Sequence, residues 1–270
     1  MALGAFYPFA RNHNTDDGID QDPVSLGPTV VNASINALQI RYKLLPYLYT
    51  LFYRAHKFGE TVARPLLFVF PKDQIARKIE TQFMWGSGLM IAPVLEEKTT
   101  EINVYLPAGR WYRILDSQLI NSSGEFVKFS APIYAINVFM RGGSVIVFSD
   151  KILQTSELAD KAIRFNLIVI LDENNKAKGD FFWDDGDSVD SIERNEYNYV
   201  TFNVKNNSLS IKTHKYGYKV EKIMQSIHVF GVYKRPQRVT VNGHETKFDY
   251  FEKLNWILIY YKGNIFSNHF

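Results

Sequence analysis

The residues best suited to chemistry stand close together near the start of the chain. Arginine, asparagine and histidine occupy positions 11 to 13, and three aromatic residues, Phe6, Tyr7 and Phe9, precede them. Aromatic rings offer apolar faces to a sugar ring, and the polar side chains offer donors and acceptors to its hydroxyl groups. This pattern is typical of a sugar pocket, but spacing alone also fits a plain loop whose histidine bonds a backbone carbonyl.

A second group of possible catalytic residues is the pair Asp184 and Asp185, beside Trp183. Glycosidases use two carboxyl groups, about 5 Å apart when the configuration is retained. Successive side chains at a strand end point to opposite faces, so these two do not face one gap. Asp-Asp-Gly-Asp is also common turn chemistry, although a loop of alternating aspartates can bind Ca²⁺. We interpret the pair as a structural turn.

A third cluster is acidic: Asp16, Asp17, Asp20 and Asp22 crowd one segment after His13. A metal site there is possible, but no histidine stands at ligand spacing, so a solvated loop near the pocket mouth is the preferred interpretation. The other histidines are isolated, and none has the serine and aspartate neighbours of a catalytic triad: His56, His214, His228, His244 and His269. We therefore expect neither a metal nor a cofactor.

Composition restricts the class of protein further. The 270 residues are 46% hydrophobic and 15% aromatic, enough for a buried core, and carry a net charge of +3. The basic residues are scattered, which argues against a nucleic-acid-binding face. No cysteine is present, so disulfides and thiolate metal sites are excluded. No apolar run approaches the ~18 residues of a membrane span, so we expect none in this chain.

Three glycosylation sequons permit a secretory route, at Asn32, Asn121 and Asn206. Such sequons arise often by chance, so they carry little weight. The first residues lack the basic region of a signal peptide and run directly into the aromatic motif.

The segment after Gly27 predicts a helix. Apolar residues recur at three- and four-residue steps from Asn32 to Phe58, and Gly59 is suited to the helix end. Asn32 or Ser34 is expected to cap its start, and Pro46 to kink it. The helix is expected to be mostly buried, which requires a partner surface.

Beyond Gly59 the sequence predicts mainly strands. We expect a strand at 62–70, a short helix at 74–83, and then a series of short strands between Gly, Pro and Asn turns. That spacing is typical of antiparallel sandwiches. The predicted strands cover residues 89–94, 102–106, 110–114, 138–141, 144–148, 164–171, 178–183, 197–204, 208–215, 226–232, 238–241 and 256–261.

Taken together, these motifs resemble glycoside hydrolase family 31, the α-glucosidases. The opening motif resembles the family's late active-site segment, and Arg-Tyr-Lys-Leu-Leu-Pro-Tyr at 41–47 resembles its last barrel helix. Phe-Trp-Asp-Asp-Gly at 182–186 resembles part of its distal β-domain. Further motifs resemble its proximal β-domain and lie at 64–67, 82–86, 91–95, 106–112 and 138–143.

The resemblance implies a mainly β fold with a short α-helical N-terminal part. Residues 1–64 would be the C-terminal end of a (β/α)8 barrel. Two antiparallel β-sandwich domains would follow, a proximal one at 65–148 and a distal one at 149–270. The chain would then be the C-terminal third of an enzyme.

The resemblance also implies roles for single residues. His13 would hydrogen-bond hydroxyls of the glucose at the point of cleavage, and Arg11 would lie near the nucleophilic carboxylate. Phe9 and Tyr7 would form pocket wall. The substrate would be an α-glucoside oligosaccharide of the maltose type, hydrolysed at its terminal glucose with retention.

The sequence departs from the family in one decisive respect. It contains neither the Trp-x-Asp-Met-Asn-Glu run of the nucleophile nor the Gly-Asp-Asn of the acid/base. We therefore expect no activity from this chain alone and a missing N-terminal catalytic half as its partner. The resemblance also implies that the intact enzyme is in the secretory pathway: extracellular, membrane-anchored through the missing N-terminus, or lysosomal.

A different class of function stays open at this point. The β-domains could form a non-catalytic carbohydrate-binding or structural protein. Its sugar contacts would be exposed tryptophans, for which the candidates are Trp85, Trp111, Trp183 and Trp256.

Overall fold

The computed structural model of the chain describes residues 1–150, 164–219 and 223–266. A single 3₁₀ turn, Gly4–Phe6, precedes helix α1 at Pro28–Lys43 and helix α2 at Leu45–Phe58. A third helix, α3, is one turn long at Leu66–Val69. Among the helices of the described ranges, none combines the length and the apolarity needed to cross a membrane.

The predicted single helix is two helices. α1 ends at Lys43, and Leu44 (φ −94°, ψ 3°) separates it from α2. Pro46 lies in the first turn of α2, where its missing N–H costs no helical hydrogen bond. The predicted caps Asn32 and Ser34 are wrong, because α1 begins at Pro28, directly after Gly27. The predicted end is confirmed: Gly59 adopts the left-handed conformation (φ 69°).

Most of the described chain beyond α2 forms strands. Their bounds are β1 Ala63–Pro65, β2 Phe83–Trp85, β3 Leu89–Ala92, β4 Glu101–Leu106, β5 Gly109–Arg113, β6 Leu119–Ser122, β7 Glu125–Ser130, β8 Asn137–Arg141, β9 Ser144–Ser149, β10 Phe165–Ile170, β11 Ala177–Trp183, β12 Asn198–Lys205, β13 Ser208–Tyr216, β14 Ile223–Phe230, β15 Thr240–Val241, β16 His244–Glu245, β17 Phe248–Phe251 and β18 Trp256–Asn264.

Two predicted elements are wrong. The strand expected at 62–70 stops at Pro65, and the chain then turns into α3. The helix expected at 74–83 is only a 3₁₀ turn, Ala76–Lys78, followed by β2. The sequence did not predict strands β2, β6, β7, β16 and β17. Elsewhere the predicted strands are confirmed, with ends displaced by a few residues.

The first large sheet has six strands in the order β1-β2-β3-β8-β5-β6, all antiparallel. Residues of β3 alternate between its two faces, as the pleat requires. Met90 and Ala92 face the β4–β7 ribbon, in a core with Val104 and Phe129. Leu89 and Ile91 face the helices. The ribbon and the sheet therefore form two packed layers.

The second large sheet has eight strands in the order β13-β12-β11-β9-β10-β14-β18-β17. It is mixed rather than purely antiparallel, because β10 runs parallel to β14. One face of this sheet packs against a separate hydrophobic core, which contains Phe165, Phe181 and Phe202. β9 pairs inside this sheet and ends near residue 148, where the boundary between the proximal and distal domains is expected. The boundary itself stays a prediction.

Both sheets share one central core with the helices. Leu48 of α2, Trp85 of β2 and Ile146 of β9 all belong to it, together with Phe6 of the opening 3₁₀ turn. Phe6 and Trp85 are fully buried. The first residues of the chain are thus held at the junction of the helices and the two sheets.

Helix α2 is attached to the eight-stranded sheet through aromatic rings. Tyr53 stacks on Phe182 of β11 with ring centroids 4.2 Å apart and planes 9° apart. Thr50 Oγ1 accepts a hydrogen bond from the backbone N–H of Phe182. Tyr49 donates to Asp184 at 2.6 Å. A helix and a sheet that are far apart in sequence are therefore joined by rings and hydrogen bonds together.

Replacing Tyr53 by alanine tests this attachment. Tyr53 is 5% exposed, whereas its neighbour Phe52 is 41% exposed. We expect Y53A to lose about 3 kcal/mol of unfolding free energy, because it leaves a cavity against Phe182. F52A should change the unfolding free energy by about 0.5 kcal/mol or less. Urea unfolding followed by circular dichroism measures both, and equal losses would contradict the proposed role of the Tyr53 stack.

Candidate functional site

The segment that leads into the Arg-Asn-His loop is fixed by a tryptophan. Phe6 packs against the Trp85 ring at a centroid distance of 5.1 Å. The indole Nε1 of Trp85 donates to the backbone carbonyl of Phe6 at 2.5 Å. Both side chains are fully buried, so a ring contact and a hydrogen bond hold the same residue.

An arginine of helix α1 secures the same segment. Arg41 Nη1 donates to the carbonyls of Ala5 and Tyr7, each at 2.7 Å, and Nη2 donates to that of Pro8 at 3.1 Å. Its guanidinium also lies 5.9 Å from the Trp85 ring centroid. One planar cation thus binds three carbonyls of one short backbone segment, which a lysine ammonium would not match in geometry.

The aromatic residues after Phe6 are less buried. Tyr7 is 45% exposed, and its ring lies 6.2 Å from that of Phe83 in β2. Phe9 is 74% exposed, and the Arg11 guanidinium lies 5.8 Å from its ring centroid. The structure therefore brings Phe9 and Arg11 together at the surface and leaves Tyr7 against the six-stranded sheet.

His13 is exposed and lines a cavity of about 430 Å³ formed by the loop itself. Residues 12–16 and 18–22 line this cavity, whereas Tyr7, Phe9 and Arg11 lie outside its lining. Asn14 closes the loop, because its Nδ2 donates to the carbonyl of Ile19 at 2.6 Å. Sequence reasoning gave Asn14 no role, although an asparagine in an exposed loop is a usual sign of such a bond.

The side chains of the loop offer hydrogen-bonding groups but no carboxyl with the raised pKa that a general acid needs. The imidazole and the carboxamides of residues 12 to 14 offer both donors and acceptors. A hydrogen bond from Thr15 lowers the pKa of Asp17. A general acid would need the opposite shift, toward the pH at which it works. Within the described residues, no three His, Asp or Glu side chains come close enough to hold a metal ion.

Asp184 and Asp185 lie in the turn after β11, which confirms the structural interpretation. Asp184 is buried and accepts hydrogen bonds from Tyr49 and Ser191. Asp185 accepts from the backbone and the hydroxyl of Ser188. Each carboxylate is occupied by its own set of donors, so the two do not share a reaction gap.

The three sequons lie in different settings. Asn32 is in α1, where Ser34 of the same sequon is buried. Asn121 is exposed in β6, and Asn206 is exposed in the turn between β12 and β13, with φ 54°. All three stay possible acceptor sites.

Two sequence models of one family match the chain. The TIM-barrel domain of the glycosyl hydrolases of family 31 matches residues 1–51, which include the Arg-Asn-His loop. The family 31 C-terminal domain matches residues 59–146, which include Trp85. The chain belongs to glycoside hydrolase family 31. The two residues that hold the loop, Arg41 and Trp85, therefore come from two different domains of this family 31 chain.

Known proteins agree with this assignment. Lysosomal alpha-glucosidase of Mus musculus is 38% identical over 262 residues, which cover 89% of this chain and 27% of that protein. Intestinal sucrase-isomaltase of Rattus norvegicus is 41% identical over 247 residues, covering 91% of this chain and 13% of that protein. The chain thus spans about a quarter or less of the length of these relatives.

The fold is found in a solved structure as well. The crystal structure of a glucosidase II alpha subunit in its DNJ-bound form has a TM-score of 0.86 with this chain at 27% identity. The similarity covers 96% of this chain and 30% of that one. The mainly β architecture with a helical barrel part at its start is confirmed.

Replacing Arg41 by methionine tests how the loop is held. The amides of Ala5, Phe6 and Tyr7 donate to backbone carbonyls within the opening segment. We expect R41M to speed hydrogen exchange of residues 5–7 on the order of tenfold or more, because charge-assisted bonds are lost.

Lys43→Met is the matched control, since Lys43 is exposed in the last turn of the same helix. Exchange measured by mass spectrometry on the opening peptide should be unchanged in K43M. Equal exchange in R41M and the unaltered chain would show that Trp85 alone fixes the segment.

Proposed function

We propose that this chain is the C-terminal portion of a retaining α-glucosidase that hydrolyses terminal α-linked glucose from maltose-type oligosaccharides. The observation that supports this most is the Arg-Asn-His loop, which is exposed yet anchored on both Arg41 and Trp85. An exposed loop whose leading segment is fixed can present the same hydrogen-bonding groups to each substrate molecule.

In this proposal His13 bonds the hydroxyls of the glucose at the cleavage point. Its imidazole lines the loop cavity and is open to solvent. Arg11 lies near the nucleophilic carboxylate of the complete enzyme, with its guanidinium now resting over Phe9. Tyr7 and Phe9 supply apolar wall at the rim.

The bond-breaking groups are proposed to come from an N-terminal catalytic half. A retaining glycosidase needs one carboxyl as nucleophile and another as acid and base. The family's motifs for both are absent from the sequence. The chain is therefore proposed to be inactive alone.

The surface of α1 supports such a partner. Ile35 is 46% exposed and Leu38 is 36% exposed, and the loop before the helix exposes Ile19 and Val24 still more. Ile35 and Leu38 are three residues apart and therefore share one face of α1, and exposed apolar side chains of this kind mark a surface that can be covered by a partner. We propose that the remaining barrel covers it.

The domain boundaries and the cellular location of the intact enzyme belong to the same proposal. Barrel residues would end at 64, the proximal domain would cover 65–148, and the distal domain 149–270. A place in the secretory pathway is proposed from relatives whose names are lysosomal and intestinal.

The non-catalytic alternative receives little support from the tryptophans. Trp85 and Trp111 are fully buried, and Trp183 is 6% exposed. A sugar-stacking platform needs exposed aromatic faces. Trp256 is only partly buried, but its ring stacks on Phe251 at 4.1 Å, so one of its faces is already covered.

The first test uses the chain by itself. We expect the purified 270-residue protein to release no nitrophenol from p-nitrophenyl α-glucoside, because no nucleophile is present. Turnover that scales with the concentration of the purified chain would overturn the proposed division of the enzyme.

The second test concerns His13 and needs the complementary part. The chain would replace its counterpart in the Mus musculus lysosomal relative, which as a family member is expected to supply the carboxylates. We expect H13A in this chimera to lower kcat/KM about fivefold or more, the loss of one hydrogen bond of about 1 kcal/mol.

His244→Ala is the matched control, because His244 is exposed in β16 of the distal part. Its kcat/KM should equal that of the unaltered chimera. Full activity of the H13A chimera would contradict the proposed role of His13. It would leave the glucosidase proposal itself standing.

A further inference from the structure

A second cavity, of about 320 Å³, lies away from the Arg-Asn-His loop. We call it the junction cleft, because α2, the β2–β3 turn and strands β9, β11 and β12 all line it. Small-molecule sites are frequent at such junctions, where a few polar groups converge in one concave space. The family 31 assignment gives this cleft no role.

The carboxylates of the junction cleft are already paired. Arg54 binds Asp180 at 3.0 Å and Glu60 at 2.6 Å. Asp180 also accepts from the Tyr199 hydroxyl at 2.9 Å, and Glu60 from Arg64 at 3.3 Å. Neither acidic side chain is therefore an unopposed negative charge facing a ligand.

The cations of the cleft exceed the anions. Arg54, Arg64 and Lys178 line it, against Glu60 and Asp180. Arg64 bonds Glu60 and the Thr61 carbonyl through Nε and Nη2, and its Nη1 has no hydrogen-bond partner in the part of the chain that the structure describes. The ammonium group of Lys178, which is exposed, likewise has no hydrogen-bond partner among the described residues.

Neutral donors lie beside Lys178. Ser144 of β9 is its register partner across the parallel pairing with β11. Paired residues project from the same face of a sheet, so the two side chains leave it together. Ser87, in the β2–β3 turn, lines the cleft as well. The groups left open to a ligand are therefore mainly donors, and two of them are cationic.

We propose that the junction cleft binds a small molecule bearing an oxyanion, a phosphate or a carboxylate, with Lys178 and Arg64 as its cationic contacts and Ser144 as a hydroxyl donor. An oxyanion is rich in acceptors, which complements the open donors, and its negative charge balances the surplus cation. The cleft is large enough for an anion with a few attached carbons. The site stands on this chain's own residues and does not depend on glucosidase activity.

Calorimetric titration of the full 270-residue chain tests the site. Inorganic phosphate and acetate are the probes, each compared with chloride at constant ionic strength. We expect saturable binding of one equivalent of at least one probe. Lys178→Gln should weaken it about tenfold, since one charge-assisted hydrogen bond is removed.

Lys176→Gln is the matched control. Lys176 is exposed two residues earlier and lies outside the lining of the cleft. A loss of affinity in K178Q with none in K176Q supports the site, and Ser144→Ala should weaken binding as well. The absence of saturable binding for both probes would overturn the proposal, as would equal affinities in K178Q and the unaltered chain. Equal losses in K178Q and K176Q would overturn it too, because they would indicate diffuse charge attraction.

Discussion

The structure depends on the binding of one backbone segment by Arg41 and Trp85. Together they satisfy the carbonyls of residues 5 to 8, all in a single irregular stretch. Backbone oxygens that are shielded from water without gaining a partner are costly, and Arg41 and Trp85 supply the partners for this short segment. The Arg41 guanidinium lies 5.9 Å from the centroid of the Trp85 ring, and the fully buried ring of Phe6 packs against that same ring.

This constraint explains why the β-domains matter to a loop outside them. Trp85 belongs to the six-stranded sheet, whose position is set by the ribbon behind it and by the central core in front. α2 joins the same core to the eight-stranded sheet through Tyr53 and Phe182. A shift of either sheet would move Trp85 relative to Arg41. The conformation of the segment before the loop therefore depends on how the sheets pack.

Local patterns predicted the fold where local forces decide it, and failed where distant contacts do. The strand β3 and the helix end at Gly59 were predicted, because strand preference and helix termination are properties of a few neighbouring residues. Residues 62–70 read as one strand, yet only Ala63–Pro65 finds a partner, in β2. The site follows the same rule: Arg11 and His13 stood out by type, whereas Arg41 acts on residues more than thirty positions away.

In the proposed enzyme, this chain binds the substrate and the N-terminal half supplies the catalytic carboxyl groups. This division follows from where a carboxyl group can be buried. The aspartates of the loop are exposed, and Asp17 is held toward its ionised form by Thr15. A carboxyl that protonates a leaving group must instead be desolvated, so that its pKa rises. No such environment exists around these loop aspartates, because they are exposed and their apolar neighbours Ile19 and Val24 are open to solvent as well. Covering the loop with the rest of a barrel would bury both the catalytic carboxyl groups of that barrel and the proposed hydroxyl contacts of His13. Substrate binding and the raised pKa of the general acid would therefore both depend on assembly.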